Sequence, residues 1–290
     1  MDSLNDIDVR DVGLVILNYM TSHETGAMIN SVKNYYPQLR IVVVDNGSST
    51  DAKKQLRDIV TQHRNVSTVY LQENRGFAGG NNAGIYKLRK LGYEYVICSN
   101  NDVLFKQPRI IETLKYYCIQ TDAALAGPRI LNLNNQDQNP YKLRRPSLKD
   151  AKSYYRRACW IPDIAYPVLK LWRFVKHSIR NKSEKNLQYP PPEKPCQVYA
   201  LHGSFIMFSP LFFKFYNGFD SNTFLYCEEN VLGEMLFAKG LKAVFVPGTK
   251  VIHKEDKTIN FVWGDDLGRQ MFKHKKRSVR YWFKCHYLNR

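Results

Sequence analysis

Apolar residues fall in short β-branched blocks over the first 130 positions, and each block gives way to polar residues and then to a stretch with helical spacing. "DVGLVILNY" is the first block and reads as a buried strand ending at Asn18 and Tyr19. "TSHETGAMINSVKNYYP" follows with helical spacing and stops at Pro37. "LRIVVVDNGSSTD" is a second buried strand breaking into an Asn-Gly-Ser turn, with Thr50 or Asp51 placed to cap a helix over about 51–63. "NVSTVYLQEN" makes a third strand. The glycine-rich run "RGFAGGNN" comes next, with a helix from about 81 to 91 behind it. "YEYVICSNND" is a fourth strand, and the proline of "PRIIETLKYYCIQ" suits the first turn of another helix.

Continuous apolar strands alternating with helices predict an α/β fold, a mostly parallel sheet covered on both faces. Ligands of such sheets bind beyond the carboxyl ends of the strands. Three of those ends are polar here: Asn18, Asp45 with Asn46, and Asn100 to Asp102. The glycine run follows the remaining strand, so all four open onto one rim. From about 131 to 196 the pattern degrades. "NLNNQDQNPYKLRRP" is loop-like, "SYYRRACWIPDIAYPVLKLWRFVKHSIR" mixes aromatic and basic residues with helical spacing in its second half, and "NLQYPPPEKP" is a proline-rich linker. Regular patterning resumes at "QVYALHGSFIMFS". "EENVLGEMLFAKG" reads as a helix ending at Gly240, and "LKAVFVPGTKVIHK" as two short strands around a Pro-Gly turn. No internal repeat is present.

Composition narrows the class. The 290 residues are 44% hydrophobic, which supports a substantial core and excludes a disordered chain. No run reaches the ~20 apolar residues needed to span a bilayer, and the first twenty residues lack the basic start and apolar stretch of a signal peptide. The six cysteines are scattered without a C-x-x-C pair, so they read as free thiols in a reducing compartment. A soluble or peripheral cytoplasmic protein is the expectation. The net charge of +17 is localised: residues 141–185 hold 13 Lys/Arg against 3 acids, and residues 267–290 hold 8 Lys/Arg and no acid. A near-neutral body therefore carries two basic segments suited to an anionic surface.

Several residues can carry chemistry. The run at Gly76, Gly79, Gly80 and Gly84 is neither a P-loop nor a dinucleotide-binding pattern. It is either a phosphate-favouring loop entering a helix N-terminus, with Arg75 adding charge, or a tight structural turn. Asp102, just past a buried strand, is placed to hold Mg²⁺ or Mn²⁺, or else belongs to an Asx turn. Glu228 and Glu229 stand at a helix start, where they either complement the helix dipole or supply a general base. Adjacent helical residues point about 100° apart, so one of the two at most faces a reaction centre. His253 ends an apolar strand, either as a structural histidine or as a partner of Asp102.

Taken together, "VVVDNGSSTD", "ENRGFAGGNNAGI", "CSNNDV", "LHGSFIMFS", "FLYCEEN" and "VIHK" resemble a family-2 glycosyltransferase of the GT-A fold, and in particular the bacterial rhamnosyltransferase-like enzymes of surface polysaccharide synthesis. The resemblance spans about residues 10–130 and 197–256. It implies inverting sugar transfer from a nucleoside-diphosphate sugar to a saccharide or lipid-diphosphate-linked acceptor. Asn18, Tyr19, Asp45 and Asn46 would line the nucleotide, and Arg75, Gly76, Gly79, Asn82 and Asn101 the rest of the donor, with glycines letting it lie close to backbone. Asp102 and His253 would be metal ligands, Glu229 or Glu228 the base, and His202 and Gly203 the acceptor side. The implied organisation is a GT-A domain over residues 1–256, comprising a donor half (10–130), a basic aromatic insert (about 131–196) and an acceptor half (197–256). A basic C-terminal segment (257–290) follows.

The chain departs from the family's pattern in two places. Asn100 replaces the first acid of the Asp-x-Asp metal motif, and Val231 and Met235 stand where the family often has an Asp and an Arg. The basic segments fit the inner face of a cell membrane, where a lipid-linked acceptor resides. Two other classes remain: a metal-dependent nucleotidyltransferase, and a nucleic-acid-binding protein, for which no recognised motif is present.

Overall fold

The computed structural model describes residues 4–160, 190–254 and 267–288. Strands β1 (Val12–Asn18), β2 (Arg40–Asp45), β3 (Val66–Tyr70) and β4 (Tyr95–Asn100) pair in parallel in the order β3-β2-β1-β4. Side chains alternate across a strand, so successive residues of β1 serve opposite cores. Leu14 and Ile16 join a layer with α1 (Ser22–Lys33), α2 (Thr50–Val60) and α4 (Ile110–Thr121). Val15 packs in the other layer, against α3 (Gly76–Lys90). Burial on both faces is why these strands are apolar without interruption.

Beyond β4 the sheet becomes mixed. The order continues through β8 (Phe205–Phe208), β6 (Ala123–Leu131), β9 (Lys242–His253) and β5 (Val103–Phe105), with β7 (Cys196–Val198) also on β9. β8 is antiparallel to β4 and β6, and β5 and β7 are antiparallel to β9. The two short strands expected around Pro247 are one long strand. Its register against β6 jumps between Val246 and Lys250, so residues 247–249 leave the ladder without ending it.

Helix starts differ from the sequence spacing in three places: Pro108, expected in a first helical turn, lies outside α4, which begins at Ile110 behind its N-cap Arg109. Ser49, one residue before the expected Thr50 or Asp51, caps α2, its side chain accepting from the Ala52 N–H. More tellingly, α3 begins at Gly76, so the glycine run expected as a loop forms the first turns of the helix. Glycine is a poor helix former, but a Cβ at Gly84 would collide with the Val15 side chain of β1. Gly76 has φ +72°, and a Cβ there would strike the Phe224 carbonyl. Close packing on both sides outweighs propensity.

A short turn α6 (Pro210–Phe213) precedes α7 (Glu228–Ala238) in the α3 layer. α8 (Leu267–Tyr281) continues into a π-helical turn (Trp282–Tyr287) and packs antiparallel to α5 (Leu148–Cys159): Tyr155 stacks on Phe283 at 4.7 Å, and Cys159 lies 3.7 Å from the Lys276 carbonyl. Val279, Trp282, Phe283 and Tyr287 are buried with α3 and α7. The described part of the basic C-terminal segment is therefore built into the core on its inner side. The helical expectation for the second half of the insert falls on residues 161–189, outside the described residues, as do residues 255–266. No helix among the described residues is long and apolar enough to cross a membrane.

Candidate active site

Strand register aligns the polar strand ends. Asn18 of β1 pairs with Asp45 of β2, and Leu17 with Asn100 of β4. The side chains then bond to one another. Asn18 donates to Asp45 (3.0 Å) and accepts from Thr25 (2.8 Å) and Asn101 (3.3 Å). Asn101 also donates to the Thr21 hydroxyl (2.8 Å), and the Ser48 N–H donates to Asp45 (3.0 Å). Asn18, Asp45 and Asn101 thus build a rigid floor to the rim, with half-buried Tyr19 at its edge. Asn46 accepts from the Arg75 N–H (2.9 Å) and donates to the Gly76 carbonyl (3.0 Å), which locks β2 to the start of α3. Arg75 is exposed at that helix N-terminus, where an anion is favoured. Gly79 lies against the Arg75 side chain. Asn82 clamps the Phe219 backbone from both sides, donating to its carbonyl and accepting from its N–H, both at 2.8 Å.

Asp102 and His253 meet because β5 starts one residue after Asp102 and pairs antiparallel with the end of β9, Val103 opposite His253. Asp102 Oδ1 and His253 Nε2 are 3.3 Å apart, and Asn100 Nδ2 is 3.5 Å from the same nitrogen. On its other side His253 Nδ1 bonds Gln138 Oε1 at 2.8 Å. Neighbouring ligands on an octahedral ion, each about 2.1 Å from it, lie roughly 3 Å apart, so this nitrogen–oxygen pair fits a small divalent cation. No third His, Cys, Asp or Glu joins it among the described residues.

His202 packs edge-on to His253, ring centroids 5.7 Å apart, and to Tyr141 at 6.4 Å. Its pKa is pushed down to about 3, first by desolvation and then by His253, so this imidazole is neutral at physiological pH. The next residue, Gly203, donates its N–H to Glu229 Oε1 at 3.3 Å, and a Cβ there would crowd that carboxylate. Two adjacent residues thereby span from the Asp102–His253 pair to the start of α7.

That helix start is unusual. Tyr226 and Cys227, immediately before it, both hold left-handed backbone (φ +71° and +72°), a costly conformation for side-chain-bearing residues and one often found at functional sites. Glu228 is buried, and its Oε1 has no hydrogen-bond partner among the described residues. Desolvation, and then the charge of Glu229, raise its pKa to about 8, so it keeps its proton at neutral pH. Glu229 is also raised by desolvation, but it is more accessible, and the Gly203 N–H and the Lys142 charge favour its ionised form. Of the two, Glu229 has the surroundings that favour ionisation.

Sequence reasoning missed the run at 137–145, which reads only as a polar loop. It supplies Gln138 to His253 and the Asn139 side chain to the His202 N–H (2.9 Å). Farther along, Lys142 donates to Asn230 (2.6 Å), and Arg145 makes a two-pronged ion pair with buried Glu234 (2.9 and 3.0 Å). These contacts have no periodicity, so no pattern in the chain announces them.

Residues 14–186 match the glycosyl transferase family 2 profile, more than half of the chain. The chain belongs to that family, and its mixed α/β sheet with flanking helices is the GT-A fold. It is 30% identical over 127 residues to the low-salt glycan biosynthesis hexosyltransferase Agl10 of Haloferax volcanii, a match covering 42% of this chain and only 37% of that one. Its fold is similar to that of GalNAc-T7, solved with UDP, GalNAc and Mn²⁺. The TM-score is 0.58 at 14% identity, over 95% of this chain and 49% of that one.

Proposed function

We propose that the chain transfers a hexosyl or deoxyhexosyl group, with inversion, from a nucleoside-diphosphate sugar to a hydroxyl of a saccharide or lipid-diphosphate-linked acceptor. The observation that carries this reading is the bridge made by His202 and Gly203, which links the cation-fitting Asp102–His253 pair to Glu229. Asp102 and His253 would hold Mg²⁺ or Mn²⁺, which supplies positive charge to the leaving diphosphate. Arg75, exposed at the start of α3, adds a second cation on the donor side. Glu229 takes the acceptor hydroxyl proton while the acceptor oxygen bonds to the anomeric carbon and the bond to the diphosphate breaks. Neutral Glu228 and neutral His202 leave Glu229 the dominant negative group on the acceptor side. The resemblance to rhamnosyltransferases makes a deoxyhexose donor the first to try, with surface polysaccharide synthesis as the setting. Exposed cations on α5 and α8 would seat the enzyme on the anionic inner face of the cell membrane, beside such an acceptor.

The test is nucleotide-sugar turnover with and without Mn²⁺, with the released product identified. Nucleoside diphosphate supports the proposal, whereas pyrophosphate would make the chain a nucleotidyltransferase. A positioned base contributes on the order of 10²–10⁴-fold, so Glu229→Gln should reduce turnover by that much with donor affinity nearly unchanged. An equal fall in donor affinity would remove Glu229 from the role of base.

A further inference from the structure

The loop after β6 presents one side chain to the back of His253, and its construction is rigid. Gln138 has its N–H on the Ile130 carbonyl at 2.9 Å, pinning the returning chain to the strand it has just left. One residue earlier, Asp137 receives the Arg129 guanidinium through two bonds, 2.5 and 2.8 Å. One residue later, Asn139 donates to the Pro128 carbonyl at 2.6 Å and accepts from the His202 N–H at 2.9 Å. The Gln138 side chain therefore reaches His253 from a backbone fixed on both sides. Its Oε1 stands 2.8 Å from His253 Nδ1. An amide oxygen only accepts, so in the neutral ring Nδ1 carries the hydrogen and Nε2 is the accepting nitrogen, approached by the Asn100 amide only at a long 3.5 Å.

That nitrogen faces the Asp102 carboxylate at 3.3 Å. Two acceptors at this distance repel unless a cation lies between or over them. Histidines that hold metals commonly donate their second ring N–H to an acceptor, which fixes both tautomer and ring orientation. We propose that Gln138 is a positioning residue that locks His253 as the Nδ1–H tautomer and so aims Nε2, together with Asp102, at a divalent cation; this rests on the metal-assisted reading of the site given above.

The full-length chain and Mn²⁺ alone suffice for the test. Long-range ¹H–¹⁵N correlation of the histidine rings should show His253 as the Nδ1–H form in the unsubstituted chain and as a tautomer mixture in Gln138→Leu. Removing an outer-shell partner of this kind typically costs 10- to 100-fold in metal affinity, and Mn²⁺ binding, followed by the paramagnetic resonance of the free ion, should weaken by that factor. Gln138→Glu keeps an accepting oxygen at nearly the same length and should restore both readouts, which a role in loop packing alone would not predict. A pure Nδ1–H signal in Gln138→Leu overturns the proposal, as does Mn²⁺ binding in Gln138→Glu as weak as in Gln138→Leu. His253→Ala separates the two levels: unchanged Mn²⁺ binding in that variant refutes the metal reading. Binding lost in His253→Ala but kept in Gln138→Leu refutes only the role of Gln138.

Discussion

Glu228 and Glu229 are neighbours in sequence with different surroundings, and pH should separate them. Glu228 is driven to about 8 by its burial and by the carboxylate beside it, from an ordinary value of 4.5. Between those two values the folded chain retains a proton that the unfolded chain has lost. Stability is then unpenalised below about pH 4.5 and declines as pH rises toward 8, by at most about 1.4 kcal/mol per pH unit from this group. Glu228→Gln removes the titration while leaving a neutral side chain of the same length beside Glu229. Thermal melts between pH 5 and 8 should show the unsubstituted chain losing more melting temperature than the Glu228→Gln variant over this window. Parallel curves would mean that Glu228 ionises as an ordinary surface acid. Because Glu229 keeps the Gly203 N–H in either case, the proposed base should remain in place in the variant.

At the level of elements, the strands were legible because β-branched blocks buried on both faces admit little else, and β1 to β4 lie where the pattern put them. Helix α3 was legible only in part. Gly76, Gly79, Gly80 and Gly84 lower helix propensity, and the sequence offers no way to see that Val15, Leu17 and Phe224 leave no room for a Cβ at three of them. The site divides the same way. Asp102, His253 and Glu229 stood out as acids or a histidine at element ends. Gln138, Lys142 and Arg145 did not, because a polar loop looks the same whether it is solvated or threaded between a histidine and a helix. The glycines give the sharper expectation. Gly84→Ala forces a methyl group into Val15, an overpacking that costs about 1–3 kcal/mol, with turnover per folded molecule little changed. Gly76→Ala meets backbone instead of a side chain, and at a left-handed φ. It should lose stability and also displace the 224–227 segment that leads into Glu228 and Glu229, lowering turnover. Denaturation midpoints and initial rates on the two variants distinguish them; equal effects on rate would mean that the α3 start does not position α7.

At the scale of the molecule, the packing of α5 against α8 brings basic side chains together among the described residues. On α8 and the turn that continues it, Lys273, Arg277, Arg280 and Lys284 are exposed at helical spacing along one stripe, while Ser278, Val279, Trp282 and Phe283 are buried on the inner side. On α5, Lys152 and Arg156 are exposed, and Trp160 just past its end is 87% exposed. An exposed indole beside cations suits the headgroup level of an anionic bilayer. Each cation near such a surface contributes about 1 kcal/mol, with a reach limited by the Debye length. Replacing Lys273, Arg277 and Lys284 together with glutamine should therefore weaken vesicle binding by about 3 kcal/mol, or roughly two decades in partition coefficient. The inner side chains of α8 are untouched by these changes, so the fold and the turnover of a soluble acceptor should persist. Sedimentation with phosphatidylserine-containing vesicles should show binding that fades with added salt, and neutral phosphatidylcholine vesicles should bind far less. Equal binding to both vesicle types, or no loss in the triple variant, would remove the membrane from the reading while leaving the candidate site as described.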